Sequence, residues 1–593
     1  MKSPASPRNI YDLLQQATDR HPQATAITYI EQLDPSLVDR RYNYSELLTN
    51  INRTVRLLQQ VLSSSRGVVS ILLPSTPETQ FILWGAETAG IANPINPLLS
   101  EEALASLMNK AETEVILALG PNPSSDIWQK VEAVAPKVPS LKQVYSVGFS
   151  AGDATPHFEE ELGNYSGAPI PSESLPDGDD ICAYFHTGGT TGTPKLAMHS
   201  HGNQVAAVEA VNQSMPAQQG DVRLNGLPMF HVAGSMVVGL AALASGANIL
   251  LPTMAGLRNP EVVKRCWDLV EHYRIKVMGG IPTSMGAFAQ IPLAGQDIDS
   301  LDYLVTGGAM VTPAVVKAVE SLTGKSLYQV YGMTETAGVI SISDMENTPT
   351  PGSCGLPGQG IEVRIDGANG EPNKTGEICV RGDNVFQGYL GHSEEALDEG
   401  WLRTGDLGCL NDRGELFITG RAKDLIIRSG HNIDPAVIEN CLENHPAVAL
   451  AAAVGKPDHY AGELPVVFVE LKTGHKASED ELREFAMANI DERPACPKQV
   501  FVIDEMPKTA VGKIHKPALR LSATKTAVMD SIRAELPTEE ANEGVAVEGV
   551  ITLQGDMRLA VHVAAQDKIS GIQKVCQNIA EKLNLAITVS GSS

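Results

Sequence analysis

One short segment of the chain combines glycines, hydroxyl side chains and a lysine, the residue types that bind phosphate. Thr187 to Lys195 reads TGGTTGTPK, and the apolar run from Ile181 to Phe185 predicts a strand leading into it. Glycine lets the backbone approach an anion closely, hydroxyl and backbone N–H groups donate to phosphate oxygens, and lysine adds a positive charge. The candidate phosphate-binding residues are Thr187, Gly188, Gly189, Thr190, Thr191, Gly192 and Lys195.

This segment differs from the Walker A loop, which ends in Gly-Lys followed by Ser or Thr. Here Pro194 precedes Lys195 and Leu196 follows it. A flexible surface loop rich in Gly and Thr is the competing interpretation, and the predicted strand before the segment favours phosphate binding. The segment therefore predicts a phosphate ligand without defining the reaction.

Length and composition predict a globular chain of more than one domain. The chain has 593 residues, of which 43% are hydrophobic and 19% are charged, and its formal net charge is -25. An acidic surface argues against nucleic acid or an anionic membrane as the main partner. The eight cysteines form no CxxC pair and no Cys/His cluster, which argues against a zinc site and favours a reducing, cytoplasmic location.

One long uncharged stretch raises the question of a membrane span. No charged residue occurs from His231 to Leu257, but small polar residues interrupt the stretch and Pro252 ends it. We predict a buried helix followed by a buried strand, and no integral membrane association.

The first part of the chain alternates amphipathic helical patterns with short apolar runs. Such alternation predicts an α/β fold with largely parallel sheets. The predicted helices are 11–17, 44–62 and 78–89, and the predicted strands are 68–73, 115–119, 276–278 and 303–305.

After residue 352 the pattern changes to short strands separated by glycine-rich turns, which predicts a β-rich subdomain up to Gly408. The polar segment from Gly420 to Asp424 predicts a hinge, and the patterns after it predict a small α+β domain ending near Leu521. The acidic stretch beyond Glu535 predicts an exposed linker, followed by two strands, a helix and a last strand. We therefore predict three parts, 1–420, 421–521 and 522–593, the last being a packed appendage of unknown role.

Four further motifs accompany the glycine-rich segment: PMFH at 228–231, VTGGAMV at 305–311, YGMTET at 331–336 and WLRTGDLG at 401–408. Together and in this order they resemble the adenylate-forming superfamily of acyl-CoA synthetases, peptide-synthetase adenylation domains and firefly-type luciferases. Two positions depart from the family's phosphate loop, since Gly188 replaces a serine and Leu196 replaces the final glycine. The resemblance covers Ile10 to Leu521. It implies a large N-terminal domain of stacked α/β subdomains with a β-rich subdomain, and a small, mobile α+β C-terminal lid.

The resemblance implies a nucleotide site in which each motif has a role. Tyr331 stacks on adenine, Thr334 contacts the α-phosphate, and Glu335 together with Thr190 supplies oxygen ligands for Mg²⁺. The remaining members of the implied nucleotide-binding set are Gly308, Ala309, Met310, Gly332 and Met333.

Two more implied roles concern the ribose and the acid substrate. Asp406 accepts hydrogen bonds from the ribose diol, and Arg421 adds a donor to the same ribose. His231 lines the acid pocket or helps to place the carboxylate. A packed histidine without a catalytic role is the alternative for His231.

The implied lid carries the residues for the two reaction steps. Lys423 falls at the pivot of the hinge, and Lys513, in PKTAVGKI at 507–514, matches the catalytic lysine of the family. A cation bridging the acid carboxylate and the α-phosphate offsets the repulsion between two anions. Gly430 and His431 match the face that meets the thiol of coenzyme A after the lid has rotated.

These features identify the sequence as a member of the acyl-CoA synthetase branch, which uses ATP, Mg²⁺ and coenzyme A. Segments 229–235, 279–285 and 306–309 carry no obvious fixed charge, which favours an apolar acid of the fatty, aryl or polycyclic kind. A ligase that loads a separate carrier protein and a non-catalytic nucleotide-binding protein are the alternatives. The predicted partners are the acid, ATP and coenzyme A, and a homodimer is left open.

Overall fold

The computed structural model describes residues 6–33, 36–187, 195–391, 397–509, 512–535, 545–551, 557–563, 569–583, 585 and 587–591. They form two compact units. The first comprises the described residues before Gly405 together with Gly408–Ile418, and the second comprises Gly405–Leu407 and the residues from Thr419 onward. The predicted start of the lid, residue 421, lies two positions after Thr419. The roles assigned to the three predicted parts stay predictions.

Two mainly parallel sheets form the framework of the first unit, as the alternating sequence pattern predicts. Parallel strands require crossover connections, which helices provide here. In spatial order, the nine-stranded sheet contains β15 (Leu356–Pro357), β14 (Ser341–Ile342), β13 (Leu327–Tyr331), β12 (Tyr303–Gly307), β11 (Ile275–Gly280), β9 (Val222–Leu224), β10 (Asn248–Pro252), β1 (Thr25–Gln32) and β2 (Val38–Asn43). The six-stranded sheet contains β6 (Gln143–Val147), β5 (Thr113–Leu119), β3 (Val68–Leu72), β4 (Ile91–Pro94), β7 (Ile181–Thr187) and β8 (Lys195–Ser200).

The helices of the first unit begin at recognisable caps. Asn43 and Glu46 form a capping box at the start of α2 (Tyr44–Val61), and Pro77 occupies the first position of α3 (Pro77–Ala89), where its missing N–H costs nothing. The described helices are α1 (Ile10–Arg20), α2 (Tyr44–Val61), α3 (Pro77–Ala89), α4 (Glu101–Lys110), α5 (Ile127–Val134), α6 (Phe158–Leu162), α7 (His201–Ser214), α8 (Ala241–Ala244), α9 (Pro260–Lys264), α10 (Cys266–Tyr273), α11 (Pro282–Phe288) and α12 (Pro313–Thr323). All the helices and strands predicted for this part of the chain are confirmed.

The nine-stranded sheet separates two hydrophobic clusters. Leu304 and Val305 are neighbours on β12, and they belong to different clusters because side chains alternate between the two faces of a strand. A buried strand of this kind positions the residues at its end, since neither face of the sheet is free to shift.

The uncharged stretch from His231 to Leu257 folds as a buried helix and a buried strand, as predicted. Its helix begins as a π-helix, Ala233–Leu240, and continues as α8 before β10. Within the described ranges, no helix has the length and hydropathy of a membrane span. Because π-helical turns are rare and occur mostly at functional sites, this helix draws attention to the preceding His231.

A smaller five-stranded sheet follows, in the region where the sequence predicts a β-rich subdomain. Its strands are β16 (Ile361–Asp366), β17 (Gly376–Gly382), β19 (Trp401–Leu410) and β18 (Leu397–Asp398), with β20 (Leu416–Arg421) beside β19.

The second unit contains two sheets and the helices that cover them. One sheet contains β22 (His431–Ile433), β21 (Ile426–Arg428), β24 (Gly462–Leu471) and β23 (Val448–Asp458), with β25 (Gln499–Ile503) beside β24. The other contains β26 (Val545–Ile551), β27 (Met557–Val563) and β28 (Ile587–Gly591). The helices are α13 (Pro435–Glu443), α14 (Glu479–Asn489), α15 (Lys516–Glu535) and α16 (Ile569–Leu583). Helix α15 runs without a break through residues 521 and 522, where the sequence analysis places a boundary.

One acidic side chain of α3 lies entirely inside the first unit. Glu87 is 1% exposed, and its Oε1 accepts a hydrogen bond of 3.1 Å from Nε2 of Gln204 on α7. In the described part of the chain its Oε2 has no hydrogen-bond partner. Burial disfavours the charged form and raises the pKa of Glu87 to about 8.

The raised pKa of Glu87 predicts a stability that depends on pH. The protonated carboxyl stabilises the fold fully below the ordinary carboxyl pKa, and this contribution is lost as the pH rises towards 8. Replacing Glu87 with Gln removes the titrating group. The free energy of unfolding of Glu87→Gln should therefore fall less between pH 5 and pH 8 than that of the unmodified protein, by about 3 kcal/mol.

Urea unfolding at several pH values measures this difference. Glu102→Gln is the matched control, because Glu102 is an exposed residue at the start of α4. Parallel pH profiles for Glu87→Gln and the unmodified protein would contradict the assignment of a protonated, buried Glu87.

Candidate active site

The predicted site residues are distributed over both compact units. In the first unit they are Thr187, Lys195, His231, Gly308, Ala309, Met310, Tyr331, Gly332, Met333, Thr334 and Glu335. In the second unit they are Asp406, Arg421, Lys423, Gly430, His431 and Lys513. The phosphate-loop residues Gly188, Gly189, Thr190, Thr191 and Gly192 lie outside the described residues.

The two ends of the phosphate-loop segment lie opposite each other on a β-hairpin. β7 ends at Thr187 and β8 begins at Lys195, and these two residues are paired across the antiparallel strands. The Nζ atom of Lys195 lies 4.7 Å from the ring centroid of Tyr389, a cation–π distance. The hairpin therefore fixes the lysine over an aromatic ring that the sequence analysis did not single out.

The turn that carries Thr334 and Glu335 is held through its backbone. Nε2 of His199 on β8 donates to the carbonyl oxygen of Thr334 at 2.8 Å, and the N–H of Phe386 donates to that of Glu335 at 2.9 Å. The side-chain amide of Asn384 donates to the carbonyl oxygen of Thr336 at 3.0 Å. Three successive carbonyl groups thus accept hydrogen bonds from three separate positions of the chain, which leaves the turn little freedom to rotate. We call this arrangement the carbonyl clamp.

Burial fixes the protonation state of the histidine in the clamp. His199 is fully buried, and burial lowers its pKa to about 4. The ring is therefore neutral near pH 7, and its single N–H is on Nε2, because Nε2 must donate to a carbonyl oxygen.

The carboxylate of Glu335 is itself buried and oriented. The residue is 6% exposed, and its Oε1 accepts a hydrogen bond of 2.6 Å from the hydroxyl of Tyr389. Burial, and then the negative charge of Glu335, raise the pKa of Tyr389, so the tyrosine stays a donor. A hydrogen bond from a neutral donor to a carboxylate is stronger than one between neutral groups, which makes this contact a specific constraint on Glu335.

This carboxylate fits a magnesium ion that arrives with a nucleotide. Mg²⁺ prefers oxygen ligands and commonly binds one or two carboxylates together with phosphate oxygens and water. Among the described residues there is no group of three or more His, Cys, Asp or Glu side chains suited to a metal ion. Glu335, with its orientation set by Tyr389, fits this requirement, and its role as a magnesium ligand stays a prediction.

Tyr389 reaches Glu335 because its segment runs alongside β8. Leu390 N–H donates to the carbonyl oxygen of Leu196, and Met198 N–H donates to that of Gly388, which places Tyr389 opposite Ala197. The sequence predicted this segment only as part of a β-rich subdomain with glycine-rich turns. The run DNVFQGY at 383–389 was the available signal, since it places two amides and a tyrosine in a connecting loop.

Tyr331 and the turn after Gly307 lie at the carboxyl ends of two neighbouring strands of the nine-stranded sheet. β12 and β13 are parallel neighbours, with Gly307 opposite Val330, so both segments leave the sheet at their carboxyl ends. Tyr331 is 8% exposed, and a Cβ on Gly332 would lie 2.2 Å from the carbonyl oxygen of Gly338, so only glycine fits there. The structure thus brings together the predicted adenine-side residues at the edge where open α/β sheets bind ligands.

His231 is fixed by the start of the π-helix. Its Nδ1 accepts a hydrogen bond of 3.1 Å from the N–H of Ala233, so the neutral ring carries its proton on Nε2. Asn225 donates to the carbonyl oxygen of Gly234 in the same turn. The sequence prediction of a helix after His231 is confirmed, whereas a role in placing the acid stays a prediction.

In the second unit, the predicted ribose residues are in direct contact. Nε of Arg421 donates to Oδ1 of Asp406 at 2.8 Å, and Asp406 is 6% exposed. Lys423 lies in the 3-10 helix Ala422–Asp424, and Gly430 and His431 are exposed at the turn between β21 and β22.

Lys513 lies on a tight hairpin. Thr509 N–H donates to the carbonyl oxygen of Lys513 at 2.7 Å, and Lys508 and Ile514 form an antiparallel bridge. The hairpin ends where α15 begins, three residues after Lys513.

Asn384 offers a test of the carbonyl clamp. Its amide donates to the carbonyl oxygens of Thr336 and Val339, and the residue is 1% exposed. Asn384→Asp replaces the donors with an oxygen that faces two carbonyl oxygens, and should lower the free energy of unfolding by about 3 kcal/mol.

Asn109→Asp is the matched control. The amide of Asn109 also donates to two carbonyl oxygens, those of Ala105 and Lys137, but it is exposed. The decrease in the free energy of unfolding of Asn109→Asp, measured by urea unfolding, should stay within about 1 kcal/mol. Equal losses for the two variants would show that the clamp contributes no more than a surface contact.

Comparisons with known proteins identify the family of the chain. Residues 14–390 match the model of the AMP-binding enzyme family, and residues 437–513 match that of the AMP-binding enzyme C-terminal domain. The marinolic acid–CoA ligase of Pseudoalteromonas sp. (strain SANK 73390) is 33% identical over 594 residues, which cover 97% of this chain and 90% of that protein. Because 97% of this chain is covered, the aligned region includes most of residues 522–593.

A more distant relative and a solved structure also match most of the chain. The long-chain-fatty-acid–CoA ligase of Bacillus subtilis (strain 168) is 28% identical, with 86% of this chain and 94% of that protein covered. The crystal structure of an anthranilate CoA ligase in complex with anthranoyl-AMP has the same fold, with a TM-score of 0.77, 21% identity and coverage of 88% of this chain and 98% of that one. The chain therefore belongs to the AMP-binding enzyme family.

Proposed function

We propose that the chain is an AMP-forming acid–thiol ligase that converts a carboxylic acid, ATP and coenzyme A into an acyl-CoA, AMP and pyrophosphate. The observation that carries this proposal is the buried Glu335 carboxylate, held by the carbonyl clamp and the Tyr389 hydroxyl. Such rigid placement of an oxygen ligand serves phosphoryl chemistry, in which positioning and charge stabilisation supply most of the catalysis.

In the first step, a carboxylate oxygen of the acid attacks the α-phosphorus of ATP, and the bond to pyrophosphate breaks. Bound Mg²⁺ would neutralise phosphate charge, with Glu335 as its protein ligand and Thr190 as a second proposed contact. Thr334, whose turn is held by His199, would contact the α-phosphate. Lys513 offsets the repulsion between the two reacting anions.

In the second step, the thiol of coenzyme A attacks the carbonyl carbon of the acyl-adenylate, and the bond to AMP breaks. The thiol loses its proton in this step, and AMP leaves with the electron pair of the broken bond. We infer that the lid pivots at Lys423 between the two steps and brings Gly430 and His431 to the thiol of coenzyme A.

We infer an apolar acid. The segments expected to line its pocket, 229–235, 279–285 and 306–309, carry no charged side chain apart from the titratable His231. A site without a fixed charge gives no compensation for burying a second charged group on the substrate.

A cytoplasmic location is part of the proposal. None of the eight cysteines, all of which are among the described residues, forms a disulfide bond, as expected for a chain kept in a reducing compartment.

Pyrophosphate release from ATP and Mg²⁺, measured with pools of fatty, aryl and polycyclic acids, tests the proposed function. Release that increases with coenzyme A and yields a thioester supports the ligase. Release that is independent of coenzyme A would favour the loading of a carrier protein instead. ATP binding without release from any pool would favour a non-catalytic nucleotide-binding protein.

Replacing Lys513 should separate the two half-reactions. Lys513→Ala removes the cation that the first step requires, so adenylate formation should fall by at least about 100-fold. Thioester formation from a supplied acyl-adenylate should fall much less, because that step does not bring two anions together. Pyrophosphate exchange and thioester formation measure the two steps.

Lys508→Ala, in the facing arm of the same hairpin, is the control and should leave both steps close to their original rates. An adenylation rate for Lys513→Ala equal to that of the unmodified enzyme would remove Lys513 from the mechanism.

A further inference from the structure

Helix α15 joins two parts of the second unit that the sequence analysis treats as separate. The helix has 20 residues and begins three positions after Lys513. Its buried residues are Leu519, Ala523, Thr524, Ala527, Val528 and Ile532. At 3.6 residues per turn, Leu519 and Ala523 in the first half lie on nearly the opposite side of the helix from Val528 and Ile532 in the second half. In proteins most of the stability of a helix comes from tertiary packing, so the stability of α15 depends on what covers these residues.

The first half of the helix packs on the sheet that contains β23 and β24. Leu519 and Ala523 belong to one hydrophobic cluster with Phe468 and Met506, and Ile514 packs against the same cluster. Met506 and Ile514 flank the Lys513 hairpin on its two sides. The position of the hairpin therefore follows the position of the helix.

The same half of the helix also holds the predicted hinge segment. Nη2 of Arg520 lies 2.7 Å from Oδ1 of Asp424 and donates at 3.3 Å to the carbonyl oxygen of Lys423. The side chains of Arg520 and Asp424 are 25% and 18% exposed, so this ion pair is shielded more than an ordinary surface pair. Arg520 thus connects the helix that follows Lys513 with the residues at which the lid is expected to pivot.

The second half of the helix is covered by the elements that follow it, β26, β27, α16 and β28, which we call the tail. Val528 and Ile532 are fully buried in a cluster that the tail completes with Leu559, Val561, Ile572 and Ile579. At the end of the helix, Lys582 of α16 donates to Glu535 at 2.7 Å.

A partly exposed ion pair links the second half of the helix to β23. Nζ of Lys456 on β23 lies 3.0 Å from Oδ2 of Asp530 and donates to Gln499 at 2.6 Å, and Lys456 is 9% exposed. Helix α15 is therefore fixed on both sides of its midpoint. Without the tail cluster, its second half would expose apolar side chains and lose the packing that keeps it helical.

We propose that the tail braces α15, and that Arg520 is a positioning residue through which this helix holds the Lys423–Asp424 segment in a fixed relation to the Lys513 hairpin. Loss of this brace should lower kcat and leave the KM for ATP unchanged, because Arg520 acts through the positions of Lys423 and Lys513. This inference rests on the proposed function for its effect on catalysis, but not for its structural part.

Two variants weaken the proposed brace at different points. Arg520→Ala removes the contact with the hinge segment, and Ile579→Ala opens a cavity in the tail cluster, remote from Lys513 in the sequence. Both should lower kcat for adenylate formation by about 10-fold and leave the KM for ATP unchanged, since misplacement of a reactive group costs rate. Arg520→Lys keeps the charge opposite Asp424 and should recover part of the rate.

Ile116→Ala is the matched control for Ile579→Ala, because Ile116 is a fully buried isoleucine on β5 in the first unit. All variants are assayed at a temperature at which circular dichroism shows them folded. A purely structural role for the tail predicts that Ile579→Ala and Ile116→Ala have equal, small effects on kcat, and this result would overturn the proposal.

Hydrogen exchange provides a readout that does not depend on activity. In Ile579→Ala, amide exchange should become about 10-fold faster in peptides covering 420–428 and 505–516, as well as in α16, and Ile116→Ala should leave these peptides unchanged. Faster exchange in α16 alone would overturn the proposal. If the unmodified enzyme forms no adenylate from any acid, the proposed function fails, and the exchange measurement still decides whether the tail braces the helix.

Discussion

The position of the Glu335 carboxylate is the constraint on which the site in the first unit depends. A carboxylate that is 6% exposed has lost most of its contact with water, and burial of a charge is costly unless hydrogen bonds replace the water. The Tyr389 hydroxyl provides such a bond, and the carbonyl clamp prevents the turn from rotating the side chain away from it. The carboxylate is therefore oriented before a ligand arrives, so that little reorganisation is needed during the reaction.

This constraint explains why residues far apart in the sequence meet at one place. β8 provides both Lys195 and His199, which lie at its start and near its end. The segment at 383–390 runs beside β8, so that Asn384 reaches the backbone of the turn and Tyr389 reaches the carboxylate. The two parallel sheets supply the buried strands that keep these contacts in register.

The parts of this arrangement that lie within short sequence motifs were predicted from the sequence. Glu335 and Tyr331 stand in one short motif. Asp406 and Arg421 are in contact, and the ribose-binding role that the resemblance implies for them stays a prediction. His199 and Tyr389 were missed because their roles depend on partners 135 and 54 positions away, respectively, and neither stands in a motif. Alternating hydrophobic runs predicted the helices and strands well, since each element buries one face or both. The continuity of α15 through Leu521 was missed because the change in composition after that residue does not interrupt the helix.

The dependence of adenylate formation on Mg²⁺, measured in a double-mutant cycle of Tyr389→Phe and Glu335→Gln, tests the central claim most directly. The hydroxyl of Tyr389 contributes a hydrogen bond to a charged group, worth about 2 kcal/mol. Tyr389→Phe alone should therefore raise the half-saturating Mg²⁺ concentration by at least about 10-fold, while the ring beneath Lys195 is kept. In the Glu335→Gln background the same replacement should have no further effect. Additive effects of the two replacements, or an unchanged Mg²⁺ dependence in Tyr389→Phe, would contradict the claim that Tyr389 acts by positioning Glu335.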